Sequence, residues 1–469
     1  MPGCKQTSQV RKNQKPKKAT KNKFNIPSKK LPSSLAQKIC NPLWIKIINS
    51  IEKRDLKTLV DIIEPIYKQE GTFCMPHPFM ESLETFASKN IRKGMCNYIF
   101  FYDSRGKNKW ILCQCTSFVD AIFSTTFSGK HKSSISDETI LNPLRNIMQN
   151  EIKKNSKQSE PQKAIMGGYL LDQLRPYHHF YDQLKWLIYL QDKKPILSKK
   201  SFFNPKRLSQ KSRPTSKDIA TIAVFPTIIG SNQLGMKLDQ FTEEMESSVY
   251  NECRGKLAAR IWEKVIKKSR SLAGGNKTLS LWFGISGQKR IWVEQEDFLP
   301  ALVEQMSPWY SSFVFIIDGF TEYEDSNHVP LRGSKATPVS QDLEVVNSIK
   351  DKLADYSNVS VVSLVGQTYR EKIKECQSAD FFIANAGAGQ LVPHRFCRKP
   401  GILHSNEKHC VFPMGINNTT VQLVDKSLVK DVGNLFAKTS PNQAGCGLIS
   451  YSINTRIIID MAKQMLKLN

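Results

Sequence analysis

Apolar positions along this chain fall into two regimes. From Leu43 to Tyr67 they recur at helical spacing, through Ile45, Ile47, Ile48, Ile51, Leu56, Leu59, Val60, Ile62 and Ile63. Two strand-like runs follow, Tyr98 to Tyr102 and Trp110 to Cys113. The segment Asp103-Ser104-Arg105-Gly106 between them predicts a hairpin. Ile165 to Tyr169 begins ordered structure again after a polar linker at Lys153 to Lys163. Beyond residue 219 the rhythm becomes strand and helix in alternation. Strands are predicted at Ile219 to Phe225, Leu279 to Phe283, Phe313 to Ile317, Val361 to Val365, Phe381 to Ala384 and Ile402-Leu403. Helices are predicted over Leu238 to Lys268, Phe298 to Met306, Leu343 to Leu353 and Thr368 to Gln377, with an amphipathic one at Asn454 to Lys467. That order predicts a doubly wound α/β sheet, in which ligands bind outside the carboxyl ends of the strands.

Two of those strand ends carry loops of small residues. Asn385-Ala386-Gly387-Ala388-Gly389 follows one strand and opens a helix, where free backbone N–H groups favour an anion such as a diphosphate. Gly284-Ile285-Ser286-Gly287-Gln288-Lys289-Arg290 follows another. Its small residues admit a bulky ligand to the backbone, and the two cations can neutralise phosphate, the arginine through a bidentate fork. A solvated basic pair on an ordinary loop is the competing reading.

A third constellation crowds Arg175, Tyr177, His178, His179, Tyr181 and Asp182 into eight positions. A histidine there could take the proton of an acceptor hydroxyl, with Asp182 orienting it or acting as the base itself. Packing or capping by the two histidines is the alternative. His394, Cys397, His404, His409 and Cys410 are of zinc-binding type. Their spacing fits no standard finger, and no metal is assigned to them.

At 469 residues the chain exceeds one ordinary core. It divides by composition into a disordered basic tail (1–40), an N-terminal half (41–272) and a C-terminal half (273–469) closed by the last helix. The content of 40% apolar and 23% charged residues is that of a globular protein. The net charge of +26 calls for an anionic partner. The lysines are scattered rather than interleaved with aromatics, so no specific nucleic-acid contact is expected. Eleven cysteines without a C-x-x-C pair read as reduced thiols of a cytoplasmic protein. The first residues lack the apolar core of a secretory signal, and no apolar run is long enough to span a bilayer.

The segment GISGQKRIWVEQEDFLPALVEQM resembles the opening of the C-terminal domain of heptosyltransferase-like glycosyltransferases of the GT-B architecture. GQTYREKIKECQSADFFIANAGAGQLVPHRFCRKPGILH resembles a later run of the same domain, through Gly366, Thr368, Ala379, Asp380, Ala384 to Gly389, Lys399 and Pro400. The match covers residues 278 to 404. That family commonly has Asp-Ser/Thr-Gly-Pro-x-His where this chain has Asn385-Ala386-Gly387-Ala388-Gly389-Gln390, so its acid and histidine are missing here. The same loop is similar to the His-Gly-Ala-Gly-Leu loop of the capsular and O-linked glycan transferases.

The resemblance implies two Rossmann-like domains facing a cleft. A nucleotide sugar, as donor substrate rather than cofactor, would be held by Gly284, Ser286, Lys289, Arg290, Thr368, Asn385, Gly387, Ala388 and Gly389. His178, His179 and Asp182 would serve a glycan or lipid-linked acceptor. The chain has no Asp-x-Asp element, which points to transfer without a metal. The charge adds peripheral contact with an anionic membrane, on its inner face. The alternative is a basic protein that binds glycan or nucleic acid without catalysis.

Overall fold

The computed structural model describes residues 24–53, 55–94, 96–115, 117–131, 135–154, 163–169, 176–184, 202–203, 221–224, 240–254, 277–324, 338–410 and 420–468. It is a mixed α/β protein built on two six-stranded sheets. Among the described residues no helix is long and apolar enough to cross a membrane.

The first sheet is an antiparallel meander. Its strands are β1 (Cys74–Pro76), β2 (Glu84–Lys93), β3 (Cys96–Tyr102), β4 (Lys109–Gln114), β5 (Ala121–Ser124) and β6 (Ser128–Lys130), paired in chain order. Side chains of a strand alternate between faces, and both faces here are apolar. Ile99, Phe101, Trp110 and Leu112 meet Trp44, Ile47 and Ile63 from the helices α2 (Pro42–Lys53) and α3 (Leu56–Tyr67), which follow the short α1 (Leu35–Lys38). Tyr98, Phe100, Ile111 and Cys113 meet Ile140, Leu141 and Leu144 of α4 (Asp137–Lys154). The predicted hairpin is β3–β4. Asp103 Oδ1 accepts from the backbone N of Lys107 at 2.7 Å and fixes its turn. The long helix predicted from Leu43 forms as two, α3 starting afresh at Asp55, whose carboxylate caps Thr58 N at 3.1 Å.

The described residues of this half differ from two expectations. A second Rossmann-like sheet is not formed by the described residues before 273, because short neighbouring strands joined by tight turns pair antiparallel. The tail expected to be disordered to residue 40 is packed from residue 24 onward: Leu31 and Leu35 are buried, and Asn25 N donates to Ser124 O at 2.9 Å. Residues 1–23 lie outside the described residues. A small parallel ladder, β7 (Ile165–Tyr169) with β8 (Thr221–Val224), adjoins the meander, Ala164 N donating to Ala87 O at 2.8 Å.

The second sheet is all parallel. Its strands β9 (Thr278–Gly284), β10 (Ser312–Asp318), β11 (Val359–Ser363), β12 (Phe381–Asn385), β13 (Gly401–His404) and β14 (Val421–Leu423) lie in the order β11-β10-β9-β12-β13-β14. In the order of the chain this is 3-2-1-4-5-6, the doubly wound arrangement with its reversal between the first and fourth strands. One face is covered by α6 (Gln295–Met306), α7 (Pro338–Lys352) and α9 (Thr455–Met465). The other face takes α5 (Gln240–Arg254), α8 (Tyr369–Glu375), the turn at Leu391–Phe396 and the wide turn at His179–Leu184. Phe180, Met245 and Val249 are thus core residues of the parallel sheet, although they precede residue 273. Of the helix predicted over Leu238 to Lys268, the part after Arg254 lies outside the described residues, as does the Gly274-Gly275-Asn276 break.

Candidate functional site

The reversal of strand order falls between β9 and β12, so the two small-residue loops leave adjacent strands side by side. Gly284 ends β9 where the strands nearly touch: a Cβ there would lie 3.1 Å from the Cβ of Ala384. The loop beyond it is held from several sides. Gln295 Nε2 donates to Ser286 O and Gln295 Oε1 accepts from Ser286 N, both at 3.1 Å. Ser286 Oγ donates to Lys289 O at 2.6 Å. Gly287 N donates to Asp342 Oδ1 at 2.6 Å, and Phe320 N to its Oδ2 at 2.5 Å.

So constrained, the turn places Arg290 in left-handed backbone, φ +52, which a side chain adopts at a cost of about 1–2 kcal/mol. The outcome is a guanidinium laid across Gly387. A Cβ on Gly387 would stand 2.3 Å from one terminal nitrogen and 2.7 Å from Cζ of Arg290. Lys289, one residue earlier, is exposed. The Gly387 loop is itself fixed by Asn385, whose Oδ1 accepts from Gly387 N at 2.9 Å. Ala388 and Gly389 then open the helical turns 388–396.

Tyr451 and Ser405, which the sequence did not single out, complete this corner together with His404, noted there only as a zinc-type residue. Asn385 Nδ2 donates to the Tyr451 hydroxyl at 3.0 Å, and that hydroxyl lies 2.8 Å from His404 Nδ1. With the phenol receiving from Asn385, its own proton goes to His404, which therefore carries its proton on Nε2. His404 Nε2 and Ser405 Oγ are buried with no hydrogen-bond partner among the described residues, the kind of group that a ligand or ordered water satisfies. Tyr451 comes from a separate antiparallel pair, β15 (Lys430–Gly433) with β16 (Ser450–Ser452), and β16 is tied to the β9 loop by Tyr451 N to Ile291 O at 2.9 Å. His409 Nδ1 donates to Asn406 Oδ1 at 3.1 Å. Burial, and then the Arg290 charge, lowers its pKa to about 4, and burial lowers that of His404 to about 3. At neutral pH the positive charge of this corner therefore resides on Arg290 and Lys289.

The other expected residues lie elsewhere. Thr368 caps α8 in a reciprocal bond with Glu371, at the end of β11, two strands from β9. His179 is 1% exposed, set edge-on to Phe180 and Phe202, and burial lowers its pKa to about 3. The side chains of His178 and Asp182 lie outside the described residues. Their segment is secured by Tyr181, whose hydroxyl donates to Glu246 Oε1 at 2.9 Å, the same oxygen that takes Arg395 Nε at 2.8 Å. The zinc-type residues are dispersed into separate bonds, His394 with Gln390 and Cys410 with Ser405 O. Among the described residues no group of three or more potential ligands is placed to hold a metal.

No model of a known protein family matches the chain, and no curated protein matches it. The case for a ligand therefore rests on the loops themselves. Two glycine loops, the Arg290 guanidinium and Lys289 come together at a strand-order reversal, the place where doubly wound sheets bind their ligands.

Asp342, which anchors both the β9 and β10 loops, supplies a test of this scaffold. Burial raises its pKa to about 6. A carboxyl with a raised folded-state pKa stabilises the fold at low pH, and that contribution is lost as pH rises through 6. Between pH 4 and 7 the wild type should lose on the order of 3 kcal/mol relative to Asp342→Asn. The amide offers one acceptor for two N–H groups, so the variant starts from a lower level. The slope of the difference from chemical denaturation is the readout, and parallel curves would show that Asp342 is not shielded from water.

Proposed function

We propose that the chain is a glycosyltransferase that moves a sugar from a nucleotide-sugar donor to a glycan or lipid-linked acceptor, in polysaccharide biosynthesis. One observation carries the reading: the two segments that resemble transferase donor loops meet at the strand-order reversal, with Arg290 across Gly387. A diphosphate seated there would meet the guanidinium, Lys289 and the N–H groups that open the 388–396 turns. These are fixed positive groups that stabilise negative charge as the leaving diphosphate departs. The acceptor oxygen would attack the anomeric carbon, the bond to the diphosphate oxygen would break, and the hydroxyl proton would pass to a base. His179, with a pKa near 3, is a weak base at neutral pH, so the role falls to His178 or Asp182. The full GT-B arrangement calls for a second Rossmann-like domain; in this reading the antiparallel half takes the acceptor side instead.

The enclosure of His179 favours a second reading, a fold that binds the nucleotide without transferring its sugar. Thermal-shift measurement with UDP, GDP, CMP, ADP and their sugars, with and without divalent metal, tests both. One nucleotide should raise the melting temperature without metal, and Arg290→Ala should abolish the shift. Release of free nucleotide from its sugar in the presence of acceptor then separates transfer from binding alone. If millimolar nucleotide leaves the melting temperature unmoved, both readings fail.

A further inference from the structure

The β15–β16 pair that carries Tyr451 also presents an apolar tip. Gly433 is paired with Ser450, and the chain leaves the ladder there. Gly433 has φ +97, and a Cβ on it would stand 2.2 Å from Thr439 O, so this close return requires glycine. Asn434 and Thr439 exchange backbone hydrogen bonds of 2.9 and 3.2 Å, and Asn434 Oδ1 accepts from Ala437 N at 3.0 Å. These bonds close a tight turn whose outer residues are Leu435, Phe436, Ala437 and Lys438, all exposed.

Phe436 keeps 60% of its surface exposed, Leu435 45%, and Leu448, near the same end of the ladder, 38%. Of the eight large apolar side chains exposed among the described residues, three lie at this end of the ladder: Leu435, Phe436 and Leu448. Such residues scattered singly need no explanation, whereas their concentration on one built feature marks a contact surface. A hydrogen-bonded turn that holds a leucine and a phenylalanine in water beside a lysine fits the interface of a bilayer. The net charge of +26 complements anionic headgroups.

We propose that the 434–439 turn inserts Leu435 and Phe436 into the headgroup region of an anionic membrane, with Lys438 at the level of the phosphates. The proposal uses none of the donor-site residues and stands or falls apart from the transferase reading.

The test is sedimentation of the full chain with vesicles of phosphatidylglycerol and phosphatidylcholine, against phosphatidylcholine alone, at about 0.15 M salt. The wild type should bind the anionic vesicles. Leu435→Ser with Phe436→Ser should lower the partition roughly tenfold to a hundredfold at an unchanged melting temperature. Phe436→Trp, which keeps the fold and the apolar tip, should gain emission that is quenched by lipids brominated on their chains. Equal binding by the double-serine variant would overturn the proposal, since scattered charge alone would then suffice. So would absence of wild-type binding. Self-association of the wild type that the double-serine variant loses, seen by sedimentation velocity without lipid binding, would assign the tip to a second copy instead.

Discussion

Lys372→Met is expected to remove about 3–5 kcal/mol of folding stability. The ammonium of Lys372 is wholly buried, with Asp318 Oδ1 at 2.5 Å, Gly319 O at 2.8 Å, Thr321 Oγ1 at 2.9 Å and Phe320 O at 3.3 Å. Methionine fills much the same length and supplies no donor. It removes a donor from Gly319 O, Thr321 Oγ1 and Phe320 O, the last of which keeps Gly366 N, and leaves the Asp318 carboxylate without its counter-charge. Burial already raises the pKa of Asp318 despite the ammonium beside it. In the variant it should rise further, so the carboxyl can take up a proton at low pH. The deficit should accordingly be smaller at pH 5 than at pH 8, because a raised folded-state pKa stabilises below the unfolded value and loses that contribution as pH rises. Adding Asp318→Asn should restore part of the loss by removing the orphaned charge. Urea denaturation of the two variants decides it. A loss below about 1 kcal/mol, flat with pH, would mean that the pair is solvated.

The parallel half was legible almost strand by strand, for a physical reason. Strands covered on both faces read as continuous apolar runs, as in Phe313 to Ile317 and Phe381 to Ala384, and small-residue loops separate them from their helices. The antiparallel half was legible only at its central hairpin. β1 and β6 have three residues each and β5 four, too few for a period to declare itself, and β2 spends Ser88, Lys89 and Asn90 on half-exposed positions. Leu31 and Leu35 stand alone among lysines and serines, so their burial depends on helices and strands that come later in the chain. The site divides in the same way. Its loops were found because Gly284, Gly387 and Arg290 are local signals. Tyr451 was missed because it enters from a three-residue strand whose only link to the site is tertiary. His404 was noticed for the wrong chemistry, as a zinc-type residue rather than as the partner of a phenol.

Gly387→Ala is expected to fold and yet to lose nucleotide affinity by about tenfold to a hundredfold. The new methyl group would collide with the far end of the Arg290 side chain, 2.3 Å from a terminal nitrogen, and a flexible side chain can move away from it. What is lost is the position of the fork over the loop, and a hydrogen bond to a charged group is worth about 1.5–3 kcal/mol. Arg290 itself allows a cleaner comparison. At φ +52 alanine bears the same left-handed strain as arginine, whereas glycine bears almost none. Arg290→Gly should therefore be more stable than Arg290→Ala by about 1 kcal/mol, while both lose binding alike. Calorimetric titration with the nucleotide chosen by thermal shift gives the affinities, and denaturation gives the stabilities. Affinity that follows stability across the three variants would mean the loop merely shapes the fold. Affinity lost in all three, with stability split by the backbone angle, would assign to Arg290 the contact with the anion and to its strained turn the task of aiming it.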